Sequence, residues 1–529
     1  MQHTSGARRG NTHGYDARMR ACFLGIDVGT SSTKCVVLAE DGAVLATGEG
    51  AYPASTPRPG WSEQDPALWW EGAQTAVKSA LRAADAPAQA IRAIGLTGQM
   101  HGLVLLDARG RTLRPCILWN DQRSAPQCER LHQDPGLPAL VAATGNRALP
   151  GFMAPKILWV QEFEPDIWAS TALVLLPKDW LRWRLSGTAA SDLSDAAGML
   201  LMDGARRAWS SAMLDRCGLR PAQLPTLHEG PEPCATLRAD AAEALGVPAG
   251  IPIVAGAGDQ AAGAIGTGVI SEGCVSAVLG TSGVVFAATS RWSPTPDGSL
   301  HAFCHAVPRT WHLMGVMLSA GGSVRWFRDA MGASFVAEAR AAGEDPYERM
   351  TRAASRVPPG ADGLLFLPYL SGERCPHPDP DARGAFAGLS ASHGPAHLAR
   401  AVFEGVTLGM RECLQLVRDR GVRVDQVRIS GGGARSAWWR QLCADLFGAP
   451  VVTTTTADAA ALGAAMLAGV GAGRWPDVQQ AVGACVRTGD ALLPGPDAPA
   501  LAALPARYAR LYEQLRPLCG PGAGAAAPR

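Results

Sequence analysis

A Gly-Thr-Ser turn occurs twice in this chain, as Gly29-Thr30-Ser31 and as Gly280-Thr281-Ser282, each time between two short apolar, β-branched runs. Each copy reads as strand, tight turn and strand, because glycine permits the reversal and the flanking residues fit a pleated sheet. A small turn of this kind offers backbone N–H groups and hydroxyls to a polyphosphate. Only the first copy carries a carboxylate, Asp27. Two such turns facing one another predict ATP held between two related domains, with an acid on one side to handle a metal ion.

The length agrees with duplication. At 529 residues and 55.1 kDa the chain is too long for one hydrophobic core, and at least two large domains are expected. The net charge of +1, with 18% charged and 47% apolar residues, excludes the strongly basic balance of a nucleic-acid binder or an anionic-membrane protein. Thirteen cysteines without a C-x-x-C pair fit reduced thiols in a cytoplasmic protein better than disulfides or a zinc knuckle. Residues 1–20 are polar and Arg-rich and read as a disordered or non-native extension. The apolar run 21–26 is cut off by Asp27, too short for a signal-peptide core. The longest apolar stretch, 459–473, is below the roughly 18–20 residues of a membrane span. Residues 516–529 read as a disordered tail, and nothing in the pattern decides between a monomer and a homodimer.

Lysine usage removes one competing design. Only Lys34, Lys78, Lys156 and Lys178 occur, none of them after glycine, so the G-x-x-x-x-G-K-[ST] phosphate loop is absent. Phosphate must be held by turns, dipoles and a metal ion.

Residues 22–29, 33–40 and 43–50 read as an antiparallel meander, the last two strands joined by Asp41-Gly42 with type I′ chemistry. Asp65-Pro66 opens a helix of some 20 residues, and 91–97 is a further strand. Helical tracts are expected at 154–163 and 177–186. The second half repeats the plan, with a hairpin over 274–290, helices near 321–331 and 395–417, a strand at 424–430 and a helix at 436–447. The fold class is therefore α/β, with an N-terminal domain over 21–265, a C-terminal domain over 266–515, and a hinge between Asp259 and Gly273.

Several constellations carry chemistry, each with a plainer alternative. Asp27 ends an apolar strand, where a carboxylate is costly unless it meets a cation; it could also cap its own turn. Asp259 stands where the strand of IPIVAGAGDQAAGAIG meets a small-residue helix, placed to accept a hydroxyl proton or simply to cap the helix. Gly256, Gly258 and Ala261 outline a dinucleotide fingerprint, but no ribose-binding acid follows about 20 residues on, which weakens an NAD-dependent oxidoreductase. Gly431, Gly432, Gly433 and Ala434 either admit a nucleotide to the backbone or form a tight turn, with Trp438 and Trp439 beyond them as core. Met100 and His101 follow a strand end and suit a small sugar, although a lone His is more often structural. Trp119 and Asn120, before Asp121 and Arg123, form either a polyol wall or a surface loop with an ion pair.

Together these pieces resemble the FGGY family of carbohydrate kinases, over residues 20–515. The carrying segments are GIDVGTSSTK, WSEQDP, GLTGQMHG, ILWNDQR, PGFMAPKILWV, LLPKDWLR, SDLSDAAG, AGAGDQAAGA, LGTSG, FLPYLSGERCPH and GGGARS, with a C-terminal signature over 384–404. The resemblance implies two ribonuclease H-like domains of the actin and hexokinase type, with the active site in the cleft between them. It implies Asp259 as proton acceptor and Asp27 as organiser of Mg2+ and phosphates. Met100, His101, Trp119, Asn120 and Gln260 would surround the sugar. Thr30, Ser31, Gly280, Thr281, Ser282, Gly432, Gly433 and Ala434 would approach ATP. The Gln-Met-His segment points to D-xylulose as acceptor, phosphorylated at O5. Gln260 stands where relatives acting on that sugar often have Asn, Met153 where a smaller residue is expected, and the first 18 residues have no counterpart. A sugar or nucleotide sensor on the same fold would have lost Asp27 or Asp259, and both are present.

Overall fold

The computed structural model describes residues 20–85, 87–454 and 458–519. The expected extension at 1–20 falls almost wholly outside them. So does the tail from 520 on, whereas Arg516–Leu518 form a 3-10 turn that prolongs the last helix.

The elements that build the site are numbered here in chain order. Strands β1 (Cys22–Val28), β2 (Ser32–Ala39) and β3 (Val44–Ala51) form the expected meander. The β2–β3 turn is not type I′. Gly42 has φ +90° but Asp41 does not take a positive φ, and Asp41 instead accepts a hydrogen bond from the Ala43 N–H at 3.1 Å. Four residues separate the strands, with glycine in the left-handed position. Helix α1 (Pro66–Ala84) starts where Asp65 accepts from Ala67 N and buries Trp69, Ala73, Ala76, Val77 and Ala80 on one face. Strand β4 (Ile91–Gly98) follows. Then come α2 (Pro177–Ser186), α3 (Leu193–Ala197), β5 (Pro233–Thr236), β6 (Pro252–Val254), β7 (Ala257–Gly258) and α4 (Asp259–Gly266). The first sheet runs β5-β6-β4-β1-β2-β3, with β7 continuing beside β4.

The second half repeats this order. Strands β8 (Gly273–Leu279), β9 (Gly283–Thr289), β10 (His301–Cys304) and β11 (Trp311–Met317) precede helix α5 (Pro395–Asp419). Strand β12 (Val424–Ser430), helix α6 (Ala437–Phe447), strand β13 (Val451–Thr453) and helix α7 (Ala459–Gly471) complete it. The sheet order is β10-β11-β9-β8-β12-β13. In both sheets an antiparallel meander is joined by parallel strands on the side of its first member.

Helix α7 is apolar on all sides because it is enclosed, lying against β1, β4 and α4. The contact is unusually close. A Cβ on Gly25 would sit 1.8 Å from the Ala461 carbonyl oxygen, one on Gly95 1.9 Å from that of Ala464, and one on Gly463 2.0 Å from that of Ala262. Glycine at these places lets main chain touch main chain. Gly463→Ala therefore forces the two helices apart, and its melting temperature is expected to fall by several degrees. Gly483→Ala, on a helix with nothing within 4 Å of the added atom, is expected to hold or raise it, since alanine is the better helix former by about 1 kcal/mol.

Candidate active site

Three strand ends meet in one row. Val28 of β1 pairs with Gly98 of β4, and Gly98 pairs with Gly258 of β7. Asp27, the residues after Gly98 and the first residue of α4, Asp259, therefore share one edge of the sheet. No Cβ intervenes at Gly258, where it would meet the Met100 side chain at 3.0–3.2 Å.

The two carboxylates are matched in environment. Burial, and then the charge of Asp259, push Asp27 up to about 7, against a smaller opposing pull from Lys34. Its Oδ1 is enclosed without a hydrogen-bond partner. Burial likewise raises Asp259 to about 6, offset in part by hydrogen bonds from the Gln260 main chain and side chain. Both acids are poised near neutrality rather than fixed in ion pairs. An orphaned buried carboxylate oxygen fits a hard cation. Among the described residues no group of three or more His, Cys, Asp or Glu forms a metal cage. Asp27 could therefore contribute a single carboxylate to a divalent ion that arrives with its own phosphate ligands.

Beyond Gly98, Met100 is buried and His101 half-buried. His101 takes φ +69°, a left-handed conformation uncommon outside glycine, and its Nδ1 lies 2.7 Å from the Gly198 carbonyl. Burial drives its ring down to about 3, so it is neutral at physiological pH. Lys156 donates to the His101 and Ile117 carbonyls at 2.9 and 3.3 Å and supports the strained residue from below. Phe152 and Phe303 lie with ring centroids 4.6 and 6.3 Å from His101, so the second sheet reaches this wall through β10.

The first turn is held from several directions. Thr30 donates its hydroxyl to Gln99 at 3.0 Å and accepts the Trp119 indole N–H at 3.0 Å. Gln64 donates to the Thr30 carbonyl, and Tyr52 to that of Gly29. Ser31 is exposed, and Lys34, 42% exposed, pairs with Asp458 at 2.8 Å. At the second turn, the N–H groups of Gly321 and Gly322 bond the carbonyls of Gly280 and Thr281. Thr281 is exposed and Ser282 half-buried. The glycine-rich segment lies alongside, since a Cβ on Gly431 would meet the Leu279 carbonyl at 2.6 Å. Gly432 faces open space.

A family model described as the N-terminal domain of the FGGY family of carbohydrate kinases matches residues 22–266, and the C-terminal model of the same family matches 275–472. The chain belongs to the FGGY family of carbohydrate kinases. It is 43% identical over 500 residues to the xylulose kinase of Escherichia coli K12, covering 94% of this chain and 99% of that protein. Two solved structures share the FGGY architecture. The ligand-bound xylulose kinase from Lactobacillus acidophilus has a TM-score of 0.88 at 26% identity, covering 94% of this chain and 99% of that one. The xylulose kinase from Rhodospirillum rubrum has a TM-score of 0.87 at 30% identity with the same coverage. The two-domain, actin and hexokinase type of fold follows.

In this FGGY kinase, Asp27, Met100, His101, Asp259 and Gln260 stand around one sheet edge. Trp119 leans on the first turn rather than on Asp259, and 43% of it is exposed. Asn120 is exposed, with its carbonyl accepting from Gln122. The Asp121–Arg123 ion pair beside them is not a surface feature. It is buried and two-pronged, at 2.9 and 2.7 Å, with the guanidinium 3.6 Å from the Trp61 ring centre. Ala434 turns into the core, leaving only its main chain for a nucleotide, and Trp439 is core as expected, donating to Thr407. Gly256 is explained by packing, since a Cβ there would lie 1.8 Å from the Leu96 carbonyl. The first glycine of the apparent dinucleotide fingerprint thus serves the β4 contact, and the second leaves room for Met100. Among the described residues no helix is long and apolar enough to cross a membrane.

Sequence reasoning missed the supporting residues Gln64, Gln99, Tyr52, Lys178 and Asp458. One signal was available. In a chain whose cations are nearly all arginine, three of the four lysines, Lys34, Lys156 and Lys178, stand at or directly behind the site.

Proposed function

We propose that this kinase transfers the γ-phosphoryl group of Mg-ATP to O5 of D-xylulose, giving D-xylulose 5-phosphate and ADP. The observation that carries the reading is the position of Asp259. It shares one sheet edge with Met100 and His101 on the sugar side and with Asp27 on the phosphate side. Asp259 accepts the hydroxyl proton as O5 attacks the γ-phosphorus and the bond to the bridging oxygen of ADP breaks. Neutral His101, fixed by Gly198, offers its other ring nitrogen to a sugar hydroxyl, and Met100 lies against the carbon skeleton. Asp27 would hold Mg2+, which supplies neutralisation of phosphate charge. Lys34 adds a cation that can exchange Asp458 for phosphate oxygens, and the exposed N–H groups and hydroxyls of both Gly-Thr-Ser turns receive the rest of the polyphosphate, with Gly432 and Gly433 near the nucleoside.

A coupled ADP-release assay with D-xylulose, L-ribulose, glycerol and gluconate tests the reading. D-xylulose is expected to give the highest kcat/KM by at least about tenfold, a difference of some 1.4 kcal/mol in transition-state binding. Equal values for all four acceptors overturn the substrate assignment. With Mg-ATP saturating, so that Asp27 is already engaged, the acid limb of kcat/KM for D-xylulose should fall tenfold per pH unit below about 6, where Asp259 takes up its proton, and flatten above.

A further inference from the structure

Behind Asp259 lies a chain of buried charges that the chemistry above does not use. Lys178 Nζ is 2.7 Å from Asp179, 2.8 Å from Asp192 and 3.4 Å from Asp195, and all four side chains are fully buried. Arg182 contacts Asp179 at 2.5 Å and donates to the Ala190 carbonyl at 2.5 Å and to that of Ala255. Both cations come from α2. Asp192 caps α3, and its second oxygen accepts from the Ser194 N–H at 2.7 Å, the Ser194 hydroxyl at 2.5 Å and the Asp195 N–H at 3.2 Å. With its proton committed to Asp192, the Ser194 oxygen accepts the main-chain N–H of Gly258 at 3.1 Å. Gly258 is the residue before Asp259.

Stability does not account for this arrangement. Withdrawing three carboxylates and two cations from water costs several kcal/mol per ion, and apolar residues of similar size commonly serve a core as well or better. Direction is what such a network supplies. A hydroxyl whose proton is committed to an ion cluster is fixed in rotation and so are its lone pairs, and Gly258, held in the sheet by Gly98 but lacking a side chain, gains from Ser194 a second anchor on its N–H. The other end of α3 is tied to the sugar wall through the Gly198 carbonyl and His101, so one short helix sets both base and acceptor.

We propose that Ser194 is a positioning residue for Asp259, its hydroxyl fixing the Gly258 N–H and hence the direction of the carboxylate. This rests on Asp259 being the general base. Ser194→Ala, Ser194→Thr and Asp259→Asn are to be compared in steady state with D-xylulose and Mg-ATP. In Ser194→Ala, kcat is expected to fall roughly 10–100-fold, the scale of a base displaced by less than about 1 Å, with both KM values within about twofold of the parent. Ser194→Thr keeps the hydroxyl and is expected to retain kcat within about threefold. Parental kcat in Ser194→Ala overturns the proposal, as does a loss in Ser194→Thr as deep as in Ser194→Ala. Parental turnover in Asp259→Asn sinks the general-base reading itself. An inactive Asp259→Asn beside a fully active Ser194→Ala sinks only the positioning role.

Discussion

Asp259→Asn is expected to lower kcat by roughly 10²–10⁴-fold, the usual worth of a positioned general base, while leaving the KM for ATP within about twofold. The amide keeps the shape of the carboxylate and its contacts with Gln260 but cannot accept the O5 proton. The same change is expected to stabilise the fold. The native carboxyl sits near 6, above its value of about 3.9 in an unfolded chain, so its ionisation opposes folding. That cost grows as pH rises from about 4 to 6 and is complete above 6. Asparagine never pays it. The variant should exceed the parent by on the order of 1–2 kcal/mol at pH 8, discounted for the partial exposure of the residue, and match it near pH 4. Urea titrations at the two pH values read the difference. A variant that is slower and equally stable at pH 8 would mean that Asp259 is not destabilised in the native state.

Lys178→Met is expected to have the largest effect on stability of any single change near the site. It leaves Asp179, Asp192 and Asp195 packed together with Arg182 as their only buried cation. Removing one partner from a buried ionic group typically costs about 3–5 kcal/mol. Asp195 is already held well above the ordinary carboxylate range by burial, against the pull of Lys178, and loss of that pull raises it further. A carboxyl with a raised native pKa destabilises as pH increases, so the deficit of the variant should be greatest at pH 8 and shrink toward pH 5. Denaturant midpoints at both values check the sign. A deficit independent of pH would show that lost packing around the lysine stem, not stranded charge, sets the cost.

What was legible in the sequence was local. The strand Val424–Ser430 and the helix Pro177–Ser186 carry their own boundaries in glycine, proline and alternating apolar residues. Asp27, Met100 and Asp259 could be brought together on paper because each follows or ends an apolar run, and parallel strands deliver their carboxyl ends to one edge. Gln99 is legible in the sequence only as part of the Gln-Met-His segment. Its role in holding Thr30 depends on the pairing of β1 with β4, which no single segment encodes. Ser194 and Gly258 are 64 residues apart, and Lys34 and Asp458 are 424 apart. Such pairs arise from the docking of finished elements, and residue spacing holds no trace of them. The Asp41-Gly42 turn was misread for a related reason. That dipeptide serves two turn geometries equally well, and the register shift at Val37 and Leu38 selects between them.

The glycine contacts between α7 and the first domain bear on how the two halves can move. Where side chains interlock, sliding one element past another means lifting each knob from its hole and finding new rotamers for it. At Gly25, Gly95 and Gly463 there are no knobs, and smooth peptide surfaces meet across the junction. The joint is tight against separation: main chain meets main chain at these points, while Leu462, Met466 and Leu467 of α7 pack among Phe23, Val36 and Leu38 beside them.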